Sequence, residues 1–174
     1  MRDRRRRGPR WSGTACILLS IAACSQWATP AALSGHELLR FERTICFGQC
    51  PAYKVDLFDD GRLQYEGSFA VAEHGPAEGR IAAPAMAKIR SNLQLLSGLR
   101  AGCCNCYDST DSPSVNMTFM ARDGKEVKRI EHYHGCEKAP DWLYDVENSI
   151  DEALDTEQWV GRQVRYRAHH SRRW

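Results

Sequence analysis

From Leu39 onward the chain alternates between apolar and polar positions. Leu39, Phe41, Arg43 and Ile45 alternate with Arg40, Glu42 and Thr44, the two-residue period of a strand with one buried face. Tyr53, Val55 and Leu57 alternate with Lys54 and Asp56 in a second strand, and Leu63 and Tyr65 with Arg62, Gln64 and Glu66 in a third. Asp59-Asp60-Gly61 between the last two is a tight-turn signal, so they form a hairpin. Tyr53 and Tyr65 fall on the inward register and are expected in the core. Gly67 to Gly79 carries no clear period and reads as a loop. The period then changes. Pro84 suits the first turn of a helix, and Met86, Ile89, Leu93 and Leu96 form one apolar stripe that Gly98 ends. After a second loop, Cys103 to Pro113, Val115, Met117 and Phe119 alternate with Ser114, Asn116 and Thr118 in a fourth strand. Arg122-Asp123-Gly124-Lys125 turns the chain into a fifth, Glu126 to His134. Pro140 opens a second helix with the stripe Leu143, Val146, Ile150, Ala153 and Leu154, and Trp159 packs after it.

The order βββαββα with hairpins predicts an α+β fold: one domain over residues 36–160. Its sheet is antiparallel, of about five strands, and two helices cover its apolar face.

The segment before this domain differs in kind. Six arginines crowd residues 1–10, and a short apolar run, Ala15 to Ala23, leads to Cys24. A basic head, an apolar stretch of about ten residues and small residues at its end are the marks of an export signal, and the stretch is too short to cross a bilayer. Ile21-Ala22-Ala23-Cys24 resembles the lipobox of bacterial lipoproteins, which implies cleavage after residue 23 and lipidation of Cys24. The residues expected around a twin-arginine export signal are missing. Residues 24–35 then read as a tether, and residues 161–174 as a basic disordered tail. Removing the leader and setting the tail aside leaves 13 basic against 21 acidic residues, so the nominal charge of +2 hides a domain near −8. Such a body is a poor partner for nucleic acid.

Of eight cysteines, Cys16 leaves with the leader and Cys24 takes the lipid. Cys46, Cys50, Cys103, Cys104, Cys106 and Cys136 remain, an even number that favours disulfides outside the cytoplasm. Four extended residues span about 13 Å, whereas bonded cysteines hold their Cα atoms about 4.4–6.8 Å apart. Cys46 and Cys50 therefore pair with each other only if Phe47-Gly48-Gln49 doubles back, and pairing across the domain is the rival. Their Cys-x3-Cys spacing is not the Cys-x2-Cys of thioredoxin-like enzymes.

His132-Tyr133-His134-Gly135-Cys136 offers two readings. On a strand, His132, His134 and Cys136 share a face and, with a ligand from Cys103-Cys104-Asn105-Cys106, could hold zinc or copper. Alternatively Cys136 bridges to one of these loop cysteines and the histidines stand exposed at a strand end. An oxidising compartment favours the bridge, with no cofactor. A vicinal Cys103–Cys104 bond is disfavoured on steric grounds. Asp111, in Thr110-Asp111-Ser112-Pro113, suits a turn leading into the strand better than a ligand or acid role.

Arg43-Thr44-Ile45-Cys46-Phe47-Gly48-Gln49-Cys50-Pro51-Ala52-Tyr53, followed by Asp60-Gly61 and Tyr65-Glu66-Gly67, resembles the domain-of-unknown-function family numbered 6438. Thr110-Asp111-Ser112-Pro113, Pro140, Ile150-Asp151 and Trp159 fit the same pattern, and Cys-Phe-Gly-x-Cys-Pro-x-Tyr is its specific part. The resemblance implies an exported, non-catalytic domain and carries over no catalytic residue. No nucleophile elbow, phosphate loop or carboxylate pair is found either. The expectation is a lipid-anchored envelope protein, a disulfide-stapled structural or interaction domain held by Cys24 and meeting an envelope partner. The alternative is a metal-binding envelope lipoprotein. By resemblance to enterobacterial lipoprotein sorting, Ser25 rather than an aspartate after Cys24 implies the outer membrane, facing the periplasm.

Overall fold

The computed structural model describes residues 35–106 and 111–161. The leader, Cys24, the tether as far as residue 34, Thr110 and the tail from residue 162 lie outside the described residues. The described chain forms β1 (Glu37–Arg43), β2 (Ala52–Phe58), β3 (Arg62–Phe69), β4 (Gly75–Arg80), α1 (Ala83–Ser97), β5 (Ser114–Met120), β6 (Glu126–Tyr133), α2 (Trp142–Leu154) and α3 (Glu157–Val160). The strands make a single sheet in the order β4-β3-β2-β1-β5-β6. Every neighbouring pair is antiparallel, so the fold is α+β.

Two expectations change. The sheet has six strands rather than five, and three helices rather than two, giving the order ββββαββαα. The additional strand, β4, lies in the glycine-containing stretch expected to be a loop. Gly-Pro-Ala-Glu-Gly-Arg has little intrinsic strand preference, and β4 is specified by pairing with β3 from Arg62↔Arg80 to Gly67↔Gly75. It is an edge strand, where Pro76 is tolerated. The additional helix is the single turn that carries Trp159.

The register aligns inward residues in rows across the sheet. Ala77, Tyr65, Val55, Phe41, Met117 and Ile130 occupy one row. Together with Leu39, Leu57, Leu63 and Val115 they pack against Ile89 and Leu96 of α1, the α2 stripe Leu143, Val146, Ile150, Ala153 and Leu154, and Trp159 of α3. Each fully buried aliphatic side chain contributes about 1.5–3 kcal/mol of transfer free energy. α1 and α2 are also joined by Asn92, whose side-chain amide donates to Ser149 Oγ at 2.9 Å. Pro84 stands in the first turn of α1, and Asp155, with φ of 53°, ends α2 in the left-handed region that aspartate tolerates. The other face of the sheet is polar: Arg40 donates to Asp56 at 2.8 Å, and Asn116 to Glu42 at 3.0 Å.

Candidate functional site

One row of the inward face breaks the apolar rule. At its centre the register places Tyr53, Arg43, Val115 and His132 side by side. His134 continues the inward parity of His132 just beyond β6. Over this row α2 lays Tyr144, Glu147 and Asp151, whose spacing of three and four puts them on one helix face beside the apolar stripe. All three are buried.

The residues divide into two linked groups. In the first, Arg43 donates to Asp151 Oδ2 from Nε at 2.8 Å and from Nη2 at 2.6 Å. Asp151 Oδ1 accepts from the Tyr53 hydroxyl and, at 3.2 Å, from Thr156 Oγ1. Burial alone would lower the Arg43 pKa, but the Asp151 carboxylate outweighs it and raises the guanidinium pKa above its ordinary value. Burial and the Asp151 charge push the Tyr53 phenol well up, so it stays protonated and remains a donor.

In the second group Glu147 lies between two imidazoles. Its Oε1 is 2.5 Å from His132 Nδ1, and its Oε2 is 2.9 Å from His134 Nε2. Solvent reaches neither Glu147 nor His132, and the His134 side chain is 5% exposed. Burial pushes the Glu147 carboxyl up, yet the hydrogen bonds with His132 and His134 hold it below the usual range. Burial lowers the His134 pKa despite the carboxylate beside it. The Tyr144 ring stands edge-on to His132 and tilted against His134, with centroids at 4.7 and 4.6 Å, and its hydroxyl donates to the His134 carbonyl at 3.1 Å. These contacts fix both rings. Among the described residues His132 Nε2 is sealed from water without a hydrogen-bond partner.

The cysteines gather at the same end of the sheet. Cys46 and Cys50 are bonded, with Cα atoms 5.6 Å apart, in the connection from β1 to β2. The chain doubles back there as the Gly48 N–H donates to the Cys46 carbonyl at 2.9 Å. Cys106 is bonded to Cys136, just beyond β6, across 4.9 Å. The adjacent pair Cys103 and Cys104, disfavoured from the sequence, is also bonded. Cys104 and Cys106 pack with Tyr133, Cys136 and Ala139 in a small second core.

Cys136 therefore does not join His132 and His134 as a third donor. Its sulfur is held by Cys106, and Glu147 takes that place. The histidines do not stand exposed at a strand end either, because α2 covers them. Asp111 is a turn residue: exposed, with φ of 72°, its carbonyl accepts from the Phe47 N–H at 3.1 Å. Cys24 lies outside the described residues. Sequence reasoning missed Glu147 and the partnership of Arg43 with Asp151. The signal for the second was Arg43 itself, a charged residue on the inward register of the first strand. Glu147 gave no signal of its own, because a polar residue beside an apolar stripe ordinarily faces water.

No curated protein and no solved structure matches the chain significantly. The family model described as domain of unknown function DUF6438 matches residues 37–154, from the first residue of β1 to the last of α2. The match spans Arg43, Tyr53, His132, His134, Glu147 and Asp151 and all three disulfides, and the chain belongs to this DUF6438 family.

Proposed function

We propose that the protein is an exported, lipid-anchored domain of the bacterial envelope that presents its disulfide-stapled end to another envelope component. The observation that carries this reading is the pairing of Cys46 with Cys50, Cys103 with Cys104 and Cys106 with Cys136, all at one end of the sheet. Such pairing is suited to an oxidising compartment and ill suited to the cytosol. That end also displays Phe47, 88% exposed, and Ile45, on the stapled loop between β1 and β2. Apolar side chains held in water by a rigid loop are suited to contact with a partner. The chain enters the domain at Glu37, the opposite end of β1. In this reading the lipid attaches at Cys24, Ser25 favours sorting to the outer membrane on its periplasmic side, and the domain binds without catalysing a reaction.

Replacing the lipidated residue tests the attachment. Cys24→Ala should abolish incorporation of labelled palmitate and release the protein from the membrane fraction. Persistent labelling of that variant would overturn the reading, as would free thiols among the six domain cysteines of protein taken from the envelope under non-reducing conditions.

A further inference from the structure

We propose that His132, His134 and Glu147 form a binding site for a divalent transition-metal ion of the zinc class. The inference is independent of membrane attachment. One donor atom from each residue lies within 4.8 Å of the others. Two imidazoles and a carboxylate are the mixed nitrogen–oxygen set that zinc accepts, and its close relatives cobalt and nickel with it. Zinc holds such ligands at about 2.0–2.2 Å in a tetrahedron, so the donor atoms stand about 3.4 Å apart. Glu147 Oε1 lies 2.5 Å from His132 Nδ1 and Oε2 2.9 Å from His134 Nε2, so ligation through these nitrogens opens both gaps by less than about 1 Å, while the donor set as a whole, within 4.8 Å, contracts toward the tetrahedral spacing.

Two features distinguish this cluster from an ordinary buried hydrogen-bonded group. First, a buried carboxylate lies between the two imidazoles, while the neighbouring buried cation, Arg43, is hydrogen-bonded to Asp151. A cation is drawn to such a place. Second, the donors are organised before anything binds. Tyr144 holds both rings, β6 sets the two-residue spacing, and α2 fixes the carboxylate, so ligation has little side-chain entropy left to remove. The disulfide at Cys136 keeps thiolate out of the donor set.

The test uses the full-length, oxidised protein in detergent, with its thiols shown to be absent, stripped by chelator and loaded with Zn2+ or Co2+. Loading is done both by incubation and by refolding in the presence of the ion. The expected result is one ion retained per chain after desalting, a rise in Tm with Zn2+, and visible absorption bands of Co2+ without a thiolate charge-transfer band. Glu147→Gln and His134→Gln should each weaken retention at least about tenfold. Substoichiometric metal after both loading procedures would overturn the proposal. So would full retention in either variant when its circular dichroism matches the native protein. Should both variants fail to fold, the stoichiometry and the Co2+ spectrum of the unaltered chain decide.

Discussion

Glu147 is out of reach of water, yet its carboxyl sits below the ordinary carboxylate range, while burial lowers the pKa of His134 against the pull of that carboxylate. Both shifts act on stability in the same sense. The unfolded chain binds a proton at His134 more readily than the folded protein does, so stability falls as pH drops below about 6.5, the unperturbed imidazole value. A further loss follows below about 4.3, as the unfolded chain protonates Glu147 before the folded protein does. The groups that face His134 are Glu147, His132, Arg43 and Tyr144. Urea unfolding across pH 5–8 should therefore show stability rising with pH, and His134→Asn should flatten the upper part of that rise. A flat profile for the unaltered chain would contradict this assignment. Little of this chemistry was legible in the sequence. His132 and His134 stood out by their spacing, but the carboxylate between them comes from a helix whose polar positions resemble a solvated face.

At the scale of elements, legibility followed packing periodicity. β1, β2, β3, β5, β6, α1 and α2 each bury one face, and their residues show it. β4 does not, because its form depends on neighbours distant in sequence. Its Gly79 lies under the ring of Trp159, which stacks on Tyr65 with centroids 4.7 Å apart. A Cβ at position 79 would stand 2.8 Å from two atoms of that ring. Gly79→Ala should accordingly cost about 1–3 kcal/mol, since a buried, stacked indole has little room to give. Chemical denaturation measures the loss, and the near-ultraviolet dichroism of the tryptophan should change with it. Unchanged stability would mean that the indole does not rest on β4. The same contact explains why Trp159 was readable as packed, whereas the strand beneath it was not.

For the molecule as a whole, the disulfides differ in how much chain they restrain. Cys106 and Cys136 are separated by 30 positions, and Cys46 and Cys50 by 4. In the chain-entropy model the first contributes about 3–4 kcal/mol and the second about 2 kcal/mol. Replacing both members of each pair with serine should lower the urea midpoint more for Cys106 with Cys136 than for Cys46 with Cys50. The reverse order would mean that the local staple holds more than its own loop. β1 lies inside the sheet between β2 and β5, and the chain enters it at the end away from the staples. A pull between that point and Cys136, just beyond β6 at the stapled end, is carried from β1 through β5 to β6. The backbone hydrogen bonds that join these strands lie across the line of force and are strained together, not one after another as in a hairpin peeled from its end. A protein tethered at one end and gripped at the other would thus bear tension in shear, the direction in which a sheet yields last.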